Sequence, residues 1–155
     1  MDREPDSSFH DLGDNTALVC VDHQQYQKIV VPQLIDITYK VHLGLFEEDV
    51  VLKLKTYNYD VVVVSENFKG STLQTNPILA ELTRRPDTQR RQHFVVLLSQ
   101  RFATNDAMSA FVHSVDQVIS IADLANLKPV LRRGVTEHRE LYNSFNEMLK
   151  SVQSL

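Results

Sequence analysis

The chain has 155 residues, of which 43% are hydrophobic and 23% charged, and its formal net charge is −4. This length fits one domain that buries about 70% of the surface exposed by its unfolded chain. The negative charge argues against chain-wide attraction to nucleic acid or anionic lipid, and the single cysteine, Cys20, excludes an internal disulfide. No apolar run approaches the roughly 18 residues that span a bilayer. We therefore expect a cytoplasmic protein without membrane contact.

The N-terminal residues 1–15 include five aspartates and glutamates and few apolar side chains. Because so polar a segment cannot bury enough surface to offset its ordering entropy, it is predicted to be a flexible tail. The composition changes at Thr16, where an apolar run begins that ends at Asp22. A short apolar run of this kind predicts a strand that is covered on both faces.

Strand-like and helix-like segments alternate from this point onward. Strands are predicted at 17–22, 39–43, 60–65, 94–99 and 117–121. Helices are predicted at 24–37 and 46–57. A third helix is predicted to begin after an N-cap at Asn76, and a fourth to run from an N-cap at Thr104 or Asn105 through Val112. Alternating strands and helices pair in parallel through right-handed crossovers, so the pattern predicts a three-layer α/β sandwich.

The C-terminal segment carries an apolar stripe with alternating steps of four and three residues. Its members are Leu131, Val135, His138, Tyr142, Phe145, Leu149 and Val152. A helix from Lys128 to about Lys150 would be about 34 Å long, more than a sheet of this size can cover. We therefore expect a domain over residues 16–133 and a helical extension over 134–155 that projects or packs on a partner. Alternatively, Gly134 divides the segment into two helices that both fold back.

Several of these segments resemble the receiver domain of two-component response regulators, across about residues 16–133. Asp22 matches one of the two acidic metal ligands that follow the family's first strand, and His23 or Val21 stands where the second should be. Ser65 occupies the position of the phosphorylated aspartate after the third strand. Ser99 matches the hydroxyl residue that ends the fourth strand.

The resemblance implies a flavodoxin-like parallel sheet with strand order 2-1-3-4-5. It also implies that the family's chemistry is lost, since Ile121 and Ala122 occupy the positions of its lysine and the neighbouring proline. A receiver transfers a phosphoryl group to a carboxylate with the help of Mg²⁺ and lysine. We therefore expect no aspartyl phosphorylation, no enzymatic activity and no cofactor, with Asp22 the remaining candidate ligand for Mg²⁺. A slipped alignment would make Glu66 the acid of the pocket, still without the lysine.

Two functions are compatible with this degenerate receiver. The first is a non-catalytic signalling module that binds a protein partner, or a second copy of itself, mainly through the C-terminal helix. Its predicted surface comprises Phe111, Val118, Leu131, Val135, Tyr142, Phe145 and Leu149. The alternative is a small-molecule or cation sensor, or an unrecognised enzyme, that uses a remnant polar pocket. That pocket would contain Asp22, His23, Ser65, Glu66 and Ser99.

A local basic cluster contains Arg84, Arg85, Arg90 and Arg91, in the connection that precedes the fourth strand. Such a loop could attract an acidic partner. It lacks the interleaved aromatic residues of a single-stranded nucleic-acid platform, so we expect a solvated loop and no nucleic-acid binding.

Overall fold

The computed structural model describes residues 15–85 and 93–153. They form a five-stranded, fully parallel sheet with the order β2-β1-β3-β4-β5. The strands are β1 (Asn15–Cys20), β2 (Tyr39–Leu43), β3 (Val61–Ser65), β4 (Phe94–Ser99) and β5 (Gln117–Ser120). The predicted sheet and its strand order are confirmed. β1 begins at the last residue of the predicted tail, and residues 1–14 lie outside the described ranges.

Helices cover both faces of this sheet. The α-helices are α1 (Gln24–Asp36), α2 (Glu47–Thr56), α3 (Pro77–Arg84), α4 (Ala107–Val112) and α5 (Leu127–Gln153). Short 3-10 helices occupy Phe68–Gly70 and Ile121–Asn126. One core cluster packs α2, α3 and α4 on one face, and a second packs α1 and α5 on the other. The architecture is therefore the predicted three-layer sandwich.

The central strand β3 shows how the sequence produces this core. Val62 and Val64 belong to the cluster under α2, α3 and α4, whereas Val61 and Val63 belong to the cluster under α1 and α5. Successive side chains of a strand point to opposite faces, so four consecutive valines supply both cores at once. All four are fully buried, and each contributes about 1.5 kcal/mol or more through burial.

The helix starts follow from capping chemistry. The Asn76 side chain accepts hydrogen bonds from the backbone N–H groups of Ile78 and Leu79, as the predicted N-cap of α3 should. The predicted cap of α4 is wrong: Asp106, not Thr104 or Asn105, accepts the hydrogen bond from the Ser109 N–H, at 3.0 Å. That hydrogen bond also lowers the pKa of Asp106.

Thr104 and Asn105 contact the edge strand β5 instead. The Asn105 N–H donates to the Val118 carbonyl at 2.8 Å, and the Ser120 N–H donates to the Thr104 hydroxyl at 2.9 Å. Asn105 reaches this position with a left-handed backbone, φ 64°. These contacts occupy outer polar groups of β5 and limit the addition of another strand at this edge.

The C-terminal helix α5 is continuous from Leu127 to Gln153, about 40 Å at 1.5 Å per residue. The single long helix is confirmed, and the alternative break at Gly134 is wrong. Gly134 faces the amide of Gln117 so closely that an added Cβ would lie 2.7 Å from Nε2. Close packing on β5 therefore explains a glycine in the helix interior. No helix within the described ranges has the length and apolar character needed to cross a membrane.

Candidate functional site

The carboxyl ends of β1, β3 and β4 meet at one edge of the sheet, where parallel α/β folds place ligands. The register pairs Cys20 with Val64, Ser65 with Leu98, and Ser99 with Ser120. The pocket residues predicted from the sequence therefore fall on the same edge, and their individual contacts decide what this edge can do.

Ser65 is 3% exposed, and its hydroxyl donates to Asn67 Oδ1 at 3.0 Å. Its backbone carbonyl accepts from Asn76 Nδ2 at 2.8 Å, and the Glu66 carbonyl accepts from the same nitrogen at 3.1 Å. Asn76 therefore joins the end of β3 to the start of α3. Its donor role was not predicted, because a cap motif in the sequence indicates only the bonds to its own helix.

Glu66 is the least satisfied acid of this edge. Its backbone N–H extends the β3–β4 ladder by donating to the Leu98 carbonyl at 3.0 Å, and the residue is only 8% exposed. Oε2 lies 3.8 Å from Nε of the partly exposed Arg101, whereas buried Oε1 has no hydrogen-bond partner among the described residues. A buried carboxylate oxygen without a hydrogen bond is costly, so it marks a place where a donor group would be stabilising.

Asp22 and His23 have local partners. Oδ2 of Asp22 accepts from the Lys69 backbone N–H at 3.0 Å, which fixes Lys69 in a left-handed conformation, φ 55°. The Lys69 ammonium lies 4.5 Å from the centroid of the Phe46 ring. The exposed His23 caps α1, with Nδ1 accepting from the Tyr26 N–H at 3.4 Å, and stacks on the Tyr26 ring.

Ser99, at the end of β4, is fully buried. Its hydroxyl oxygen accepts from the backbone N–H groups of Arg101 and Phe102, at 3.0 and 2.9 Å. This is the local turn that serine hydroxyls form at the end of a strand. The hydroxyl therefore shapes the β4–α4 connection.

The donor set does not fit the Mg²⁺ site of receiver phosphotransfer. Among the residues that the structure describes, no group of three or more histidine, cysteine, aspartate or glutamate side chains could hold a metal ion. Ile121, at the position implied for the lysine, is half-buried against the core under α1 and α5. The described part of this edge therefore offers hydroxyl groups and separate carboxylates, and no assembled centre for phosphoryl transfer.

A groove of about 700 Å³ lies between α4, β5 and α5. Gln117, only 5% exposed, is in its wall; Nε2 donates to Asn105 Oδ1 at 2.9 Å and to the Val130 carbonyl at 3.1 Å. Gln117 thus holds three elements together, while its Oε1 is buried without a partner in the described ranges. A lone glutamine gives no sequence pattern that would have indicated this role.

The predicted interaction surface divides into buried and exposed members. Val118 and Leu131 are 0% and 1% exposed and belong to the two cores, so they are unavailable to a partner, which corrects their assignment. Val135 is half-buried against the core under α1 and α5. The remaining four are exposed: Phe111, Tyr142, Phe145 and Leu149.

Of the predicted basic loop, Arg84 and Arg85 are described, and both form ion pairs with Glu81. Arg90 and Arg91 lie outside the described residues. The described half of the cluster is thus neutralised in part by an acid of α3.

No protein-family model matches the chain, and no curated protein matches it in sequence. Solved structures match its fold. The chemotaxis response regulator CheY4 of Vibrio cholerae has a TM-score of 0.63 and 14% identity, covering 79% of this chain and 99% of that one. The receiver domain of Francisella response regulator 1452 has a TM-score of 0.62 and 13% identity, covering 80% and 98%. A Thermotoga maritima response regulator has 0.61 and 16%, covering 80% and 99%.

These matches are receiver domains and response regulators, so the fold of this chain is that of a response-regulator receiver. The identities are low, and the likeness concerns the fold alone. Because the matches cover about four-fifths of the chain and nearly all of the matched structures, the fold similarity extends over a whole receiver unit.

Proposed function

We propose that this chain is a pseudo-receiver: a non-catalytic signalling module that acts through protein–protein interaction and is not phosphorylated on aspartate. The observation that carries the proposal is the serine at the carboxyl end of the central strand. A receiver forms an acyl phosphate on a carboxylate at this position, and a serine hydroxyl cannot form one. The receiver-like fold supports the signalling role.

The surroundings of Ser65 agree with this proposal. Its hydroxyl is engaged with Asn67, its carbonyl with Asn76, and the implied lysine position holds an apolar side chain. Phosphoryl transfer relies on preorganised cations to stabilise the charge on the transferring oxygens. The backbone N–H of Lys69 donates to Asp22 at this edge, but its ammonium lies over the Phe46 ring. The polar groups at this edge therefore serve to hold the turns that follow the strands.

The interaction role rests on exposed apolar side chains of α4 and α5. Phe111 is 82% exposed on α4, and Tyr142 and Phe145 are 41% and 47% exposed on the far half of α5. Large aromatic side chains that are left in water on a folded helix are typical anchors of a protein interface. Partner binding through α5 would remove Tyr142 and Phe145 from solvent without any change at the carboxyl edge.

One observation favours a second candidate function, a small-molecule or cation sensor at the carboxyl edge. Within the described part of the chain, buried Oε1 of Glu66 has no hydrogen-bond partner, and Oε2 lies 3.8 Å from Nε of Arg101. A ligand that donates a hydrogen bond or carries positive charge would satisfy Oε1.

The loss of the phosphorylation switch is tested with acetyl phosphate, or with beryllofluoride, in the presence of Mg²⁺. We expect no acid-labile acyl phosphate by intact-mass spectrometry and no activation-like shift of amide resonances. A stoichiometric acyl phosphate would overturn the pseudo-receiver proposal, and its position in the sequence would show whether Glu66 or another acid accepts the phosphoryl group.

Partner capture from native lysate separates the two candidate functions. In the interaction proposal, Tyr142→Ala combined with Phe145→Ala removes a captured partner, whereas Asp22→Asn leaves capture unchanged. In the sensor alternative, the substitutions at Tyr142 and Phe145 have no effect. Asp22→Asn or Glu66→Gln instead abolishes a ligand-dependent change in melting temperature. Circular dichroism of each variant serves as the folding control.

A further inference from the structure

The far half of α5 presents one continuous apolar face. Six large hydrophobic side chains between residues 141 and 152 are exposed: Leu141 73%, Tyr142 41%, Phe145 47%, Met148 65%, Leu149 42% and Val152 62%. They recur at helical spacing, so they lie on one side of the helix. The remaining residues of the same turns, such as Asn143, Glu147 and Lys150, are polar. The amphipathic pattern therefore continues where α5 no longer packs on the sheet.

This face is large enough for a specific interface. With about 200 Å² for a fully exposed large side chain, the six residues expose roughly 650 Å². A typical monomer exposes no apolar patch much beyond a few hundred Å². Two such faces would bury at most about 1,300 Å² in total, which reaches the range of standard protein interfaces.

The charge pattern favours an identical copy as the occupant. In heptad terms Tyr142 and Leu149 are at a positions, and Phe145 and Val152 at d positions. Neither these positions nor the flanking Asn146 and Gln153 carry charge, so two copies meet without like-charge repulsion. A strongly charged partner would find no complementary charge along this seam. Strand addition is also limited, because the β4–α4 turn already bonds to the outer edge of β5.

The order of side chains along α5 decides the relative direction of the two helices. The aromatic pair Tyr142 and Phe145 precedes the aliphatic pair Leu149 and Val152. In an antiparallel arrangement each core layer joins one aromatic to one aliphatic side chain, Tyr142 to Val152 and Phe145 to Leu149. A parallel arrangement stacks tyrosine on tyrosine and valine on valine, which gives layers of unequal volume. Even packing requires large residues opposite small ones, so the antiparallel arrangement fits better.

The residues at the e and g positions, on either side of the apolar stripe, independently favour the antiparallel arrangement. Leu141 and Met148 lie on one flank, at g positions, whereas Asn146 and Gln153 lie on the other, at e positions. Antiparallel coiled-coil helices place g against g and e against e, so apolar flank meets apolar flank. Parallel helices place g against e, which would leave leucine and methionine beside polar amides.

We propose that two copies of this chain pair through the far half of α5 as an antiparallel two-stranded coiled coil. In this register Gln153 of one copy lies level with Leu141 of the other. That level is just beyond His138, whose ring still contacts Phe94 of the domain body, 5.3 Å between centroids. The segment that pairs, residues 141–153, thus coincides with the part of α5 that extends beyond the sheet and the other helices. This inference rests on the proposed function of α5 as the interaction surface.

Sedimentation velocity of the full chain tests the pairing. We expect the mass to rise with concentration from 17.8 kDa to twice that value. Phe145→Glu should keep the mass at that of the monomer, because it puts a charge into the seam. Asn143→Glu adds the same charge to the polar side of the same helix and should leave the dimer intact. Circular dichroism checks that both variants retain their helices.

Oxidative cross-linking tests the direction. Asn146→Cys should form a disulfide-linked dimer faster than Leu149→Cys, because only antiparallel helices bring the two 146 positions together across the two-fold axis. Parallel helices would bring the two 149 positions together instead. The native Cys20 is fully buried and does not compete.

A monomeric mass at every concentration up to about 0.5 mM would overturn the pairing, since even a Kd near 1 mM would then give a measurable dimer fraction. A dimer that Phe145→Glu and Asn143→Glu leave equally intact would also overturn it. Faster cross-linking through Leu149→Cys would overturn the antiparallel arrangement. If the chain is monomeric but Tyr142→Ala with Phe145→Ala still abolishes partner capture, self-association fails and the proposed function stands.

Discussion

Gln117 and Gly134 show how two single residues position the long helix. The Gln117 amide donates to the turn before α4 and to the carbonyl of Val130 on α5, and the missing side chain of Gly134 makes room for it. A helix-interior glycine ordinarily costs about 1 kcal/mol relative to alanine. Here that cost is offset by the close approach of α5 to β5.

A double-mutant cycle tests this pair. Gly134→Ala should destabilise the protein by about 1 to 2 kcal/mol, because the new methyl group collides with a hydrogen-bonded amide. In a Gln117→Ala background the same change should stabilise by up to about 1 kcal/mol, because only the gain in helix propensity remains. Urea unfolding of the four proteins measures the cycle. The same free-energy change in both backgrounds would show that the two residues do not interact.

His42 predicts a pH dependence of stability. Burial lowers the pKa of His42 below its usual 6.5, with smaller contributions from the charges of Lys40 and Lys53. The unfolded chain therefore takes up this proton at a higher pH than the folded protein does. The stability that depends on neutral His42 is present above pH 6.5 and is lost as the pH falls through the lowered value.

Urea unfolding at pH values between 8 and 5, in steps of about 0.5 pH unit, checks this prediction. The series spans the ordinary pKa of histidine. The free energy of unfolding should fall as the pH is lowered. His42→Asn should make this fall smaller, because the variant removes the contribution of His42 and leaves the other histidines unchanged. An identical slope in the variant would contradict the assignment to His42.

At the level of elements, the joint between β3 and α3 depends on one side chain. Asn76 is 2% exposed; it caps α3 through Oδ1 and bonds the carbonyls of Ser65 and Glu66 through Nδ2. The carboxyl end of the central strand is therefore held by the start of the next helix.

Asn76→Ala is expected to cost about 2 to 3 kcal/mol, since it removes a cap and leaves buried carbonyl groups without donors. Asn76→Ser should cost less, because a serine oxygen still caps the helix. Thermal or urea unfolding measures both. Equal losses would mean that the carbonyl contacts, and not the cap, account for the whole effect.

At the level of the whole molecule, α5 still contacts the sheet and α1 for a few residues after position 133, where the domain is predicted to end. Val135 packs against the core under α1 and α5, and the His138 ring contacts Phe94. The later turns of α5 are exposed on nearly every residue. The body and the projecting segment are thus parts of one helix, and the change from one to the other falls after His138.

Truncations locate that change. Deletion of residues 144–155 should alter the free energy of unfolding of the dilute protein by less than about 0.5 kcal/mol, since the described side chains of 144–153 are exposed, apart from the half-buried Asn146. Deletion of residues 134–155 should cost about 2 kcal/mol or more, because it removes the contacts of Val135 and His138. Urea unfolding at low protein concentration compares them. Equal stabilities would show that the contacts of Val135 and His138 contribute little and would agree with the predicted boundary at residue 133.

Much of the fold follows from local sequence. The run Val61–Val64 can only be a strand buried on both faces, Asn76 before Pro77 starts a helix, and the apolar stripe after Lys128 forms one long helix. Periodicity and capping are properties of neighbouring residues, so the sequence displays them directly. The cap of α4 was predicted wrongly because three adjacent residues could each cap, and contacts with β5 occupy two of them.

The sequence by itself determined the order of strands and helices, and which residue types stand at the strand ends. Only the tertiary structure decided which of those side chains are available. Val118 and Leu131 share an apolar character with Phe145, yet neighbouring elements bury the first two and leave the third in water. Burial, and the pairing of Gln117 with Gly134, depend on distances between segments remote in the chain, and a linear pattern does not record those distances.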